Sequence, residues 1–245
     1  MSVQAIFQSD EFNDLNLKDF CDKFKNERGY KKLRNLKKVF SSLLMPACIL
    51  SKDAFDSNGN RTEGWGEGEQ RGKMDYFPPL GWVGFGLKVM NKYKNDIWIG
   101  MENVKGEWCV AYHGVGGVYP SEEINIETLT SIMNEGLKEN KENFQRHQNC
   151  PDVYHRGKKV GRGIYCSPYV NTAKKFAGRT ILNGKKYYTV FMLRVKPKKI
   201  RHCENCEDSR EPNCFWVLNG ENFNEVRPYR ILFKCFDDNN RNQNN

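Results

Sequence analysis

Residues 161 to 168 read GRGIYCSP, a short apolar and aromatic run entered through paired glycines. Glycines at the mouth of such a run mark a turn, and a run this short reads as a buried strand, here Gly163 to Cys166. Before it, residues 138 to 159 are polar and carry Pro151 and Gly157, so a long loop is expected. After it, Asn171 to Ala177 is expected to be a helix started by Asn171. Tyr187 to Val195 follows as a strong strand, rich in β-branched and aromatic residues. Phe215 to Leu218 and Arg230 to Phe236 complete the downstream strands.

Upstream the texture is similar. Ile97 to Met101 and Trp108 to His113 read as strands joined by a turn at Lys105-Gly106. Thr128 to Gly136 reads as a helix with Leu129, Ile132 and Met133 on one face and Gly136 as its C-terminal cap. Strands with few helices among them predict an α+β domain over 76–236. Residues 56–75 are rich in Gly, Asn and charge and are expected to be a loop or linker, while 237–245 form a polar tail. Residues 1–55 are expected to be a basic helical extension, in which Phe20, Phe24, Leu33, Leu36 and Phe40 supply an apolar stripe.

The totals set limits. In 245 residues, 38% hydrophobic and 13% aromatic content is enough for one sizeable core. No apolar run approaches the roughly 18 residues of a spanning helix, and no secretory signal opens the chain. Nine cysteines then read as reduced thiols, and a cytoplasmic or nuclear protein with no membrane partner is expected. Net charge is +9, and Lys18 to Lys38 hold nine Lys/Arg against three Asp/Glu. Such a block either forms a solvated helix face or attracts a polyanion.

Three segments carry the candidate chemistry: AYHGVG at 111–116, GRGIYCSP at 161–168 and FNEVRPYRIL at 223–232. Each has a polar side chain in apolar company. Alone, each is weak: His113 beside a glycine is ordinarily structural, Tyr165 ordinarily core, and Glu225 a strand-end surface acid.

Together, His113-Gly114, Gly136-Leu137, Gly161-Arg162-Gly163-Ile164-Tyr165 and Asn224-Glu225 come in an order that resembles the poly(ADP-ribose) polymerase-like ADP-ribosyltransferases of the His-Tyr-Glu type. A second aromatic that the family places eleven residues beyond its tyrosine is matched by Phe176. The resemblance spans roughly Trp82 to Phe236. It implies split antiparallel sheets enclosing an NAD cleft, with helices outside. It further implies NAD as substrate and transfer of ADP-ribose, as single units, to an acceptor with release of nicotinamide.

On that resemblance, His113 contacts the ribose hydroxyls, Gly114 offers its backbone to the nicotinamide amide, and Tyr165 and Phe176 sandwich the ring. Glu225 is the implied catalytic carboxylate, stabilising the ribosyl cation as nicotinamide leaves. The family's serine three residues before the second aromatic is Ala173 here, with Thr172 and Ser167 as substitutes; Val226 stands where the polymerases carry an aromatic. The acceptor is open: a protein side chain, a nucleic acid end or water. A non-catalytic NAD or ADP-ribose-binding module and a nucleic-acid-binding adaptor are the readings from other classes. Transfer of a 2′-phosphate from RNA to NAD uses a related fold without the glutamate, and Glu225 argues against it.

Cys203, Cys206 and Cys214 form half of a zinc motif in RHCENCEDSREPNC. Ordinary loop thiols are the expected reading, without stoichiometric zinc. The lysines of KPKKIR at 196–201, with Lys174, Lys175, Lys185 and Lys186, either surround a pyrophosphate or are solvated.

Overall fold

A computed structural model of the chain describes residues 54–61, 64–66, 69–116, 123–124, 126–138, 154–155, 158–159, 163–182, 185–203, 215–218 and 225–236. The expected N-terminal helices, the C-terminal tail and most of the 138–159 loop lie outside these residues, as do Cys206 and Cys214.

The strands are β1 (Phe55–Arg61), β2 (Gln70–Arg71), β3 (Met74–Asp75), β4 (Val83–Leu87), β5 (Cys109–Gly114), β6 (Tyr154–His155), β7 (Lys158–Lys159), β8 (Ile164–Cys166), β9 (Arg179–Leu182), β10 (Lys185–Val195), β11 (Arg201–Cys203), β12 (Phe215–Leu218) and β13 (Val226–Cys235). The helices are α1 (Ile126–Glu135) and α2 (Val170–Lys174). The main sheet runs β1-β4-β13-β10-β5, with β9 also on β10; a second sheet runs β11-β12-β8. Every ladder between named strands is antiparallel, so the architecture is α+β with mostly antiparallel sheets and few helices.

β10 is the spine. Val190, Phe191, Met192, Leu193 and Val195 are all buried, because protein covers both faces of the strand. Its pairing with β13 slips between Met192 and Leu193, which face Arg230 and Pro228 and leave Tyr229 as an extra residue. Pro228 has no N–H to give a ladder, and a bulge is where a sheet tolerates it.

Among the described residues, one backbone bridge joins the second sheet to the main one. Tyr112 N–H donates to Ser167 O at 2.7 Å, and Ser167 N–H donates to Tyr112 O at 2.9 Å. Beyond that bridge β5 and β8 part.

The structure corrects the expected loop at 56–75 and the expected strand at 97–101. Residues 55–61 are an edge strand of the main sheet, despite the sequence FDSNGNR. Tertiary bonds hold it there: Arg230 Nε donates to Gly59 O at 2.7 Å, and Asn60 Oδ1 accepts Gly86 N–H at 2.9 Å. Ile97–Ile99 is a 3-10 turn where a strand was expected. The buried Arg194 fixes it, donating to Ile99 O at 3.0 Å and Gly100 O at 2.7 Å.

The helices follow the sequence more closely. α1 buries Leu129 and Met133 and ends with Gly136 N–H donating to Ile132 O at 2.9 Å. α2 begins one residue before Asn171, with Tyr169 at its N-cap and no side-chain cap bond, so Asn171 does not start it. Among the described residues no helix is long and apolar enough to cross a membrane.

Candidate functional site

The parting of β5 and β8 creates the site. Tyr112 spends both backbone bonds on Ser167, so its N–H and C=O point toward β8. Backbone direction in an antiparallel strand repeats every second residue, so Gly114 turns its N–H and C=O to the same side, where β8 has moved away. His113 bridges the gap with its side chain: Nδ1 lies 2.7 Å from the carbonyl oxygen of Tyr165.

A carbonyl can only accept, so Nδ1 carries the proton and Nε2 keeps its lone pair. Burial holds the His113 imidazole below its usual titration range, partly offset by the Tyr165 carbonyl, which favours the cation. The ring is neutral at pH 7 and offers an acceptor nitrogen.

Gly114 is required for close approach. A Cβ there would lie 2.1 Å from Ala173 O and 2.8 Å from Ala177 N, so the end of α2 packs directly on the strand. Gly163, before β8, has φ of +149°, and a Cβ would lie 2.4 Å from Leu218 O. Only glycine lets the chain enter β8 at this angle.

Aromatic residues make one wall. Tyr165 pairs with Val217 on β12, and Phe215 lies two residues earlier, so Tyr165, Val217 and Phe215 share a face. Phe176, from the turn after α2, meets Phe215 edge-on with centroids 5.6 Å apart. Tyr165, Phe176 and Phe215 all remain partly exposed. Phe215 was not among the residues expected from the sequence. The visible signal was its alternation with Val217, which becomes informative only once β12 is known to pair with β8. Arg201 continues this row, opposite Val217 on β11. The basic segment 196–201 therefore contributes one guanidinium to the Tyr165 face.

The remaining expected residues are placed differently. Ser167 and Thr172 are buried, and Ser167 Oγ accepts Tyr169 N–H at 3.1 Å. Glu225 is not level with His113 along the main sheet. Val226 pairs with Val195, which pairs with Cys109, whereas His113 pairs with Phe191. Those levels differ by four residues along β10, about 13 Å of extended strand. At its own edge Glu225 O accepts Lys196 N–H at 2.8 Å, and its carboxylate lies 3.6 Å from Lys199 Nζ. The neighbouring arginines have other anchors. Arg227 lies 3.8, 4.9 and 4.4 Å from the ring centroids of Tyr93, Trp98 and Trp108.

Of the candidate zinc ligands only Cys203 falls on a described strand, and no group of three metal-ligating residues occurs among the described residues.

No protein-family model matches the chain, and no curated protein matches it in sequence.

Proposed function

We propose that this chain binds NAD with its nicotinamide riboside end at the parting of β5 and β8, and transfers ADP-ribose from it to an acceptor. The observation that carries the reading is the 2.7 Å contact between His113 Nδ1 and Tyr165 O across that parting. It supports a cleft with a neutral imidazole, a free backbone edge and an aromatic wall at one place, which together match the needs of a flat amide-bearing ring on a ribose.

His113 Nε2 accepts a ribose hydroxyl proton in a hydrogen bond. Gly114 N–H and C=O face the carboxamide. Tyr165 and Phe176, backed by Phe215, stack on the ring, at roughly 0.5–1.5 kcal/mol per aromatic pair beyond area burial. Arg201 brings a guanidinium to that face, where a pyrophosphate would meet it. In the transfer, the glycosidic carbon–nitrogen bond breaks, its electron pair leaves on neutral nicotinamide, and the acceptor forms the new bond to ribose and loses a proton. Fixed dipoles that stabilise the ribosyl cation lower this barrier.

The position of Glu225 favours a second reading, binding of NAD or ADP-ribose without transfer, because Glu225 is not level with His113 along the main sheet. Incubation with labelled NAD separates the two. Transfer releases nicotinamide and labels a macromolecule; binding alone retains label reversibly and releases none.

A further inference from the structure

On the opposite face of the main sheet, a row of side chains crosses three strands. Arg179 on β9 pairs with Tyr188 on β10, which pairs with Lys234 on β13. Directly opposed residues share a face, and the row spans about 10 Å. Phe191, level with His113, is three residues from Tyr188, an odd separation, so this row and the His113 ring lie on opposite sides of the sheet.

Cations and rings interleave there. Lys174 Nζ, from α2, lies 4.4 Å from the Tyr188 centroid, and Arg179 Cζ lies 4.2 Å from that of Phe236. Tyr188 and Phe236 are tilted against each other with centroids 5.0 Å apart. Lys234 Nζ sits 5.8 Å from the Trp82 centroid. All five residues of the cluster are partly exposed, and exposed Lys186 flanks them.

Among the described residues none of Lys174, Arg179 and Lys234 has an ion-pair partner. Among the described residues, Glu123 bridges Arg179 through the main chain and is exposed. Arg179 Nε is buried without a hydrogen-bond partner. Burial, and to a lesser degree the charge of Lys234, push Lys174 down from its usual range. Three neighbouring cations repel one another, and an anion in their midst relieves that repulsion.

We propose that Arg179, Tyr188 and Lys234, with Lys174 and Phe236, form a binding surface for single-stranded nucleic acid. The cations meet the phosphates, and the ring pair supplies a stacking platform that accepts any base. The surface does not depend on NAD binding, and either can fail alone.

The test is fluorescence anisotropy of a labelled oligouridylate of about 12 nucleotides titrated with the full chain over a range of salt. Binding is expected, with Lys174→Gln/Lys234→Gln weakening it about tenfold at 0.1 M salt. The slope of log affinity against log salt should also fall by about 0.7 for each cation removed. Absence of binding by the parent chain overturns the proposal. So does a folded double variant with unchanged affinity and slope, which assigns binding to the basic block at 18–38. A second measurement needs no variant: an oligomer carrying 4-thiouridine should crosslink to the peptide containing Tyr188 or Phe236. Crosslinks confined to other peptides would also overturn it.

Discussion

The imidazole of His113 and the carbonyl of Tyr165 are 2.7 Å apart across the line where the two sheets separate. One side-chain bond thus takes over where the backbone ladder stops. Because the bond needs only the Nδ1 proton, the neutral ring satisfies it fully, and burial then disfavours adding a second proton.

That arrangement has a pH consequence. The folded His113 titrates below the unfolded value of about 6.5, so above that value its contribution to stability is complete. As pH falls, the unfolded chain takes up a proton that the folded ring refuses, and stability declines until the depressed folded value is passed. Urea unfolding between pH 7.5 and 5 should show the parent losing stability relative to His113→Gln. Parallel curves would mean the ring is solvated.

Arg194 and Glu107 form a buried ion pair at 3.4 Å, with side chains 2% and 0% exposed. Arg194 also ties Trp108 O, Ile99 O and Gly100 O, while Glu107 accepts Gly72 N–H and Asn103 N–H. Arg194→Met strands the carboxylate and frees three carbonyls, and should cost about 3–5 kcal/mol in denaturant unfolding. Adding Glu107→Gln should return part of it. A loss under 1 kcal/mol would show that the pair is replaceable by packing.

Cys109 and Cys166 are buried thiols, each donating to a backbone carbonyl: Val195 O at 3.3 Å and Trp216 O at 3.6 Å. Burial pushes Cys109 up to about 12 and Cys166 above its usual range, so neither holds a useful thiolate fraction. At pH 8, iodoacetamide should leave both unmodified in the folded chain and alkylate them in urea. Peptide mass spectrometry decides this, and rapid native labelling of either would contradict their placement.

Glu225→Gln removes a carboxylate paired with Lys199, whose side chain is 53% exposed, so stability should change by no more than about 1 kcal/mol. If the chain releases nicotinamide, the variant should do so within about threefold of the parent, because Glu225 is not level with His113 along the main sheet. A fall of about 10²–10³ would instead mean that its carboxylate acts on the ribose.

Much of the site was legible from residue order. The expected strands at 108–113, 163–166, 187–195 and 215–218 match β5, β8, β10 and β12 within two residues at each end. Their local periodicity and β-branched content leave few alternatives. His113 and Tyr165 also stand together, as the pattern implied. Glu225 was harder, because β12 and β13 are close in sequence yet join different sheets: β12 pairs with β8, and β13 with β10 and β4. Strand spacing carries no record of which sheet the chain enters next. The strand at 55–61 was illegible for another reason. Its hold comes from Arg230 and Gly86, far along the chain, and nothing in FDSNGNR favours an extended backbone.

The most direct measurement is calorimetric titration of NAD into the full chain, Tyr165→Ala and His113→Ala, with melting temperatures to confirm folding. The expected result is one NAD bound per parent chain and clear weakening in both variants. The stacking lost with Tyr165 alone accounts for about two- to twelvefold. A parent that binds no NAD, or folded variants that bind it as tightly, would contradict a nicotinamide site at the parting of β5 and β8.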